Sequence, residues 1–231
     1  DTFAMLKQVK VLSIQAVEDQ SRYPLDFDAM KKTFFTSTLS RTNSRNYTLF
    51  EVTIDQEHGT SPMQNVVDFP AFNCPGYVVR NNYFHDHRAR GLRLMGNDGL
   101  IEGNTFERIG QCAISLGAEM GYWAEAGWVE NVMVRNNVIR DVNRDKNATG
   151  PGALVLGAIG TFVHTNVKTM PFPGHRRITI ENNTIVKPNT GYENVPLIYT
   201  KNLGKITWKN NTLDGQQTQL EKDSQPIPPK D

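Results

Sequence analysis

The sequence predicts an all-β protein in which a small antiparallel domain precedes a right-handed parallel β-helix, and two patterns support this. The first is a repeated phrase. "YVVRNNYF" (77–84), "GLIEGNTF" (99–106), "VMVRNNVI" (132–139), "ITIENNTI" (178–185) and "ITWKNNTL" (206–213) share one template: apolar, any, polar or charged, Asn or Gly, Asn, any, apolar. The shared residue falls at Asn82, Asn104, Asn137, Asn183 and Asn211, separated by 22, 33, 46 and 28 residues. The repeat therefore has a minimum near 22 residues and admits loop insertions. A period in this range combined with strand alternation marks a β-solenoid.

In each coil the shared Asn is expected to take up the left-handed backbone conformation at a turn while its amide bonds the neighbouring coils. Stacked amides then form an internal ladder that satisfies otherwise buried peptide groups. The "NNT" of the repeat also accounts for the apparent glycosylation sequons at Asn182 and Asn210.

The second pattern is a strand family between the Asn phrases: "GLRLMG" (91–96), "AISLGA" (113–118), "ALVLGA" (153–158) and "PLIYTK" (196–201). Alternation puts Leu92, Ile114, Leu154 and Leu197 in one interior stack and Leu94, Leu116, Leu156 and Tyr199 in the next. Arg93, Ser115, Val155 and Ile198 then point outward. That outward face, with the loops at both ends of its strands, is the expected place for an extended groove.

Residues 1–73 lack the Asn phrase. "FAML", "KVLSIQAVED", "TFFTSTL", "YTLFEVTI" and "NVVDF" read as five short strands with polar turns, which suits a small antiparallel barrel or sandwich. The boundary falls around "DFPAFNCPG", so the β-helix is assigned to 74–220. The tail "EKDSQPIPPKD" (221–231) has little to bury and is expected to be disordered. No helix longer than a turn or two is required.

Composition narrows the function. Across 231 residues, 25 basic and 24 acidic side chains leave a net charge of +1 with no basic stripe, which argues against nucleic acid as a partner. No apolar run approaches a membrane span, so no membrane partner is expected. Cys74 and Cys112 fit neither a disulfide framework nor a metal cluster and read as buried small apolar residues.

The candidate chemistry sits at the ends of the "GLRL" and "AISL" strands. "FHDHRARG" delivers His85, Asp86, His87, Arg88 and Arg90 to one end of the first, with Arg93 inside the strand. "GAEMGYWAEAGW" (117–128) leaves the second and carries Glu119, Tyr122, Trp123, Glu125 and Trp128. Loop roots on adjacent coils are about 5 Å apart, so the two loops can line one cleft.

Glycoside hydrolysis needs two carboxyl groups with different jobs, one protonating the leaving oxygen and one activating water or attacking the anomeric carbon. Glu119 stands two residues beyond its strand and is firmly held, while Glu125 lies between Trp123 and Trp128, where desolvation would favour the acid role. Asp86 is a third carboxylate, or the ion-pair partner of Arg88 or Arg90. Arginine and aromatic side chains suit sugar hydroxyls, carboxylates and the apolar face of a pyranose. "HDH" also presents two histidines at strand spacing, as a zinc site would, but no further ligand pattern accompanies it, and neither metal nor cofactor is assigned.

The stretch from "HDHRARG" through "WAEAG" to "VMVRNNVI" resembles glycoside hydrolase family 110, bacterial exo-acting α-1,3-galactosidases, and the preceding segment is similar to the small barrel inserted in their β-helix. The resemblance implies an inverting, metal-independent exo-hydrolase of terminal α-linked galactose, exported to the periplasm or secreted, with Glu119 and Glu125 matching its acidic positions, and it further implies that the chain is the C-terminal part of a longer protein. From the chemistry of the two loops, Asp86 is the reserve carboxylate and His85, His87, Arg88, Arg90, Arg93, Tyr122 and Trp123 are the expected substrate-binding residues. Homodimerisation is open. The family pairs acidic residues where this chain has Ala118-Glu119. The other readings of the residues are a polysaccharide lyase or uronic-acid hydrolase on the same scaffold, and a non-catalytic carbohydrate-binding or adhesin β-helix.

Overall fold

The computed structural model describes residues 8–19, 50–57, 73–117, 129–144, 159–162, 175–186, 198–201, 206–220 and 226–227. The chain divides into two compact units. The first contains β1 (Val11–Ala16) paired antiparallel with β2 (Phe50–Ile54). These two strands correspond to "KVLSIQAVED" and "YTLFEVTI", whereas "FAML", "TFFTSTL" and "NVVDF" lie outside the described residues.

The second unit is a parallel β-helix with three sheets. The first sheet stacks β3 (Val78–Arg80), β6 (Leu100–Glu102), β9 (Glu130–Arg135), β12 (Arg176–Glu181) and β15 (Ile206–Lys209). The second stacks β4 (Tyr83–His85), β7 (Thr105–Ile109), β10 (Val138–Val142), β13 (Thr184–Val186) and β16 (Thr212–Leu213), with β17 (Gln216–Gln217) added antiparallel to β16. The third stacks β5 (Leu92–Leu94), β8 (Ile114–Leu116), β11 (Ile159–Phe162) and β14 (Ile198–Lys201).

Each of the first four coils feeds one strand to each sheet and the fifth feeds the first two, so equivalent apolar residues stack. Ile101 pairs with Val134, and Phe106 with Ile139, all fully buried. On the outer side of the first sheet the register aligns Arg80, Glu102, Arg135, Glu181 and Lys209, a column of alternating charge. The Arg135 Nε lies 2.7 Å from Glu102 Oε1 and the Arg80 Nε 3.4 Å from its Oε2, the cross-strand pairing that favours in-register stacking.

The expected ladder is present. Asn104 donates its backbone N–H (2.9 Å) and its Nδ2 (3.0 Å) to Asn137 Oδ1. Asn137 does the same to Asn183 (3.0 and 2.9 Å), and Asn183 to Asn211 (2.9 and 2.8 Å). The second Nδ2 hydrogen reaches the coil before, to Val79 O, Ile101 O and Val134 O respectively. One side chain thus ties three coils together.

The backbone conformation differs from the expectation. The left-handed residue is the one before each ladder Asn: Asn81, Gly103, Asn136, Asn182 and Asn210, with φ between 53° and 64°. The two jobs are divided because a buried side chain aimed along the stack needs an extended backbone, while the turn that brings it inward needs positive φ. This explains why the template admits Asn or Gly there. At Gly103 a Cβ would lie 2.6 Å from Asn81 Oδ1, so the second coil uses glycine.

In the third sheet the strand of the third coil is β11, in which Ile159 pairs with Ile114, and not "ALVLGA", whose Leu154, Val155 and Leu156 lie outside the described residues. Ile198, not Leu197, is in register with Ile159, and Tyr199 aligns with Ser115 through Gly160, one residue away from the expected register. Period-two alternation cannot choose between adjacent apolar runs; cross-coil pairing does, and it selects the β-branched Ile159 and Thr161.

Two smaller differences concern the edges of the unit. Within the expected disordered tail, β19 (Pro226–Ile227) pairs antiparallel with β18 (Gln219–Leu220). Cys112 is buried as expected, but Cys74 is exposed, at a turn with φ 45°.

The ladder predicts unequal costs for neighbouring asparagines. Asn137→Ala strands the two Asn104 donors and should lower stability by roughly 2–4 kcal/mol. Asn136→Val should cost about 1–2 kcal/mol through its left-handed backbone, and Asn136→Gly almost nothing. Urea denaturation followed by circular dichroism measures all three.

Candidate functional site

The third sheet differs from the other two in how its outer side is covered. Strand alternation directs Ser115 away from the interior stacks of Ile114 and Leu116, yet Ser115 is only 1% exposed. Outward residues on the other sheets are less covered: Val78 is 57% and Tyr83 52% exposed on the first coil, and the Glu102 and Glu107 side chains, on the same coil as Ser115, are 21% and 19% exposed. Arg93, which pairs with Ser115, is partly buried, and Arg90 Nε and Nη2 are shielded from solvent. The expected open face is therefore covered at Ser115.

Beside it, the turn after the second sheet gathers most of "FHDHRARG". Asp86 has φ 56° and stacks in register with Arg108 of the next coil, which also has positive φ. Arg108 Nε and Nη2 reach the two Asp86 oxygens at 2.6 and 2.7 Å, a bidentate pair. His85 Nδ1 lies 2.7 Å from Asp86 Oδ2, and the His85 ring stacks on Tyr83 at 4.5 Å.

Glu107 is bound by Arg108 Nη1 (2.9 Å), by Arg140 Nη2 (3.2 Å) and by the Tyr83 hydroxyl. The hydrogen bond from Arg108 holds the Asp86 carboxyl well below the usual carboxylate range, with His85 adding to it. The Tyr83 hydroxyl, followed by Arg140, lowers Glu107 in the same way. Asp86 is thus a fixed anion near neutrality, better suited to orienting His85 and Arg108 than to donating a proton. Its partner is Arg108, not Arg88 or Arg90.

His87 Nδ1 faces Arg90 O at 3.4 Å, and its ring meets the edge of Phe84. The left-handed turn at Asp86 interrupts the strand between His85 and His87, so they are not ligands side by side on one strand. Among the described residues no group of three or more His, Cys, Asp or Glu side chains is placed to hold a metal ion.

Asp86, His87, Arg88 and Arg108 line a shallow depression of about 250 Å³ with Gly110 and Arg144. Gly110 is required there, since a Cβ would fall 2.0 Å from Arg88 O. Arg88 itself is exposed. Glu119, Tyr122, Trp123 and Glu125 lie outside the described residues, as does Trp128.

Sequence reasoning missed Tyr83, Glu107, Arg108 and Arg144. Overlaying "NNYFHDH" on "GNTFERI" by the ladder Asn does place His85 on Glu107 and Asp86 on Arg108, so the signal was available in the phrase alignment.

Residues 69–219 match the family model described as "Right handed beta helix region", which covers more than half of the chain. The chain belongs to the right-handed β-helix family. Within it, the chain is similar to curated bacterial proteins. It is 29% identical over 174 residues to Alpha-1,3-galactosidase A of Bacteroides fragilis, 74% of this chain and 27% of that protein. It is 30% identical over 141 residues to Alpha-1,3-galactosidase B of Bacteroides thetaiotaomicron, 60% of this chain and 21% of the relative. Alpha-1,3-galactosidase B of Akkermansia muciniphila is 26% identical over 182 residues, 77% and 21% of the two chains. The matched part of this β-helix chain spans about a quarter of the length of these relatives.

The Asp86 pair has a pH signature. A depressed folded pKa contributes stability that is fully present above the unfolded value and is lost as pH falls through the folded one. Arg108→Gln should return the Asp86 carboxyl toward the ordinary range near 4. Carbon-detected NMR titration of the Asp86 carboxyl reads the change, and an unchanged titration in the variant would show that Arg108 is not its cause.

Proposed function

We propose that this β-helix acts on carbohydrate as a glycoside hydrolase of terminal α-linked galactose. The similarity to proteins named alpha-1,3-galactosidase, which extends over 74% of the chain, carries the reading. The sheltered outer side of the third sheet supports it, because transition-state electrostatics strengthen where water is excluded. The loop that follows β8 contributes Glu119 and Glu125 in sequence.

The reaction is inverting and exo-acting. One carboxyl protonates the glycosidic oxygen as the bond to the anomeric carbon breaks; the other takes a proton from water, whose oxygen attacks that carbon from the opposite face. Glu125, flanked by Trp123 and Trp128, is the acid and Glu119 the base. His85, His87, Arg88, Arg90 and Arg93 with Tyr122 and Trp123 bind the sugar, and Asp86 holds His85 and Arg108 in place. No metal takes part in these steps, and the protein works in the periplasm or outside the cell.

Glu119→Gln and Glu125→Gln should each lower turnover of a terminal α-1,3-galactoside by on the order of 10³-fold or more with unchanged circular dichroism, whereas Asp86→Asn should act mainly on KM. Proton NMR of the first product should show β-galactose, and a chelator should leave the rate unchanged. Wild-type turnover in both Glu variants would refute the assignment, and α-galactose as first product would refute inversion.

A further inference from the structure

Register locates an insertion between β8 and β9. Leu94 pairs with Leu116 and Leu100 with Met133, so a step of six residues from β5 to β6 becomes one of seventeen from β8 to β9. Gly117 still follows the ladder, donating to Leu94 O at 3.2 Å, and the Asp98 N–H to Glu130 O contact at 3.0 Å resumes it. The eleven added residues are 118–128, which carry Glu119 and Glu125.

The chain re-enters the stack at Val129 and Glu130, and each is held from a different neighbouring coil. Glu130 is tied to the coil before: its N–H donates to Asn97 Oδ1 at 3.0 Å, and its carbonyl accepts from Asp98. Val129 is tied to the coil after: its carbonyl accepts the Arg176 N–H at 3.0 Å, and its N–H donates to His175 Nδ1 at 2.9 Å. For both N–H groups a side chain takes the place of the backbone carbonyl that a continuing parallel ladder supplies. The His175 contact is buried, with Val129 at 0% and His175 at 1% exposure, so an N–H left unpaired there would be costly. A backbone N–H donates only to a lone pair. His175 Nδ1 therefore bears no proton, and the ring is the neutral tautomer with its hydrogen on Nε2.

We propose that His175 is a positioning residue for the reaction: as this tautomer it fixes, from the next coil, the point at which the chain returns after Glu119 and Glu125. It acts through the Val129 N–H, four residues beyond Glu125 in the chain. Arg176 and Arg177, which follow it, grip the Glu130 carboxylate at 3.3 and 2.8 Å and hold the same strand start from the same coil. The effect on catalysis rests on the galactosidase reading; the anchor itself does not.

Nitrogen NMR of the imidazoles in the full chain reads the anchor, and turnover of a terminal α-1,3-galactoside reads its consequence. At neutral pH His175 should show a bare Nδ1 and a protonated Nε2. His175→Phe keeps a ring and removes the acceptor, so the Val129 amide should exchange about tenfold faster, the equivalent of about one net hydrogen bond. In the same variant kcat should fall on the order of 10- to 100-fold with KM within about twofold, as misplaced catalytic groups require. An Asn Oδ1 hangs from Cγ as the His Nδ1 does, so His175→Asn should restore most of the protection and of the turnover. A proton on Nδ1 in the wild type, unchanged Val129 exchange in the Phe variant, or loss of the anchor with kcat intact would each overturn the proposal. A wild-type chain with the bare Nδ1 and the protected Val129 amide but no turnover would uphold the anchor and refute the galactosidase reading.

Discussion

A single acceptor organises this β-helix: the Oδ1 of each buried ladder asparagine takes both the backbone N–H and the side-chain N–H of the asparagine one coil earlier. The arrangement consumes polar groups that sit at 0–1% exposure at Asn104, Asn137, Asn183 and Asn211, where an unpaired donor would be costly. It also fixes the height and rotation of every coil at one corner. The apolar stacks can then be filled by Ile, Val, Leu and Phe in register, and the chain is free to leave the stack elsewhere for loops of any length. The irregular spacing of the phrases follows from this, since only the corner must repeat.

Most of this architecture was legible because the ladder requires one residue type at one place and the strands around it must alternate. Legibility stopped where several local solutions are equivalent. The phrase suggests Asn82 and its counterparts as the left-handed site, which belongs to the residue before, because both positions favour asparagine and only the direction of the side chain separates them. For the third-sheet strand of the third coil, "ALVLGA" and Ile159–Phe162 are two apolar runs side by side after a long insertion, and only pairing with Ile114 and Ser115 selects the second. Sequence offers Asp86 the arginines beside it, but in a solenoid the neighbour that matters is one coil away, at Arg108.

The same geometry shapes the candidate site. Stacking brings His85, Glu107 and Arg140 onto one line and Asp86 beside Arg108, building a rigid charged network at the turn after the second sheet. The third sheet lies just beyond it in the chain path, and its outward Ser115 is removed from water. The acid and base roles that we propose for Glu119 and Glu125 are named from sequence and from the family resemblance.

The central claim is that the ladder, more than any single sheet, holds the coils together. Native-state hydrogen exchange on the backbone amides of Asn104, Asn137 and Asn183 tests it most directly. These amides should be among the slowest in the chain and exchange only with global unfolding. If they exchanged by local opening while the strand amides of β6, β9 and β12 stayed protected, the coils would be held by their sheets and apolar stacks alone, and the account given for the repeat would be wrong.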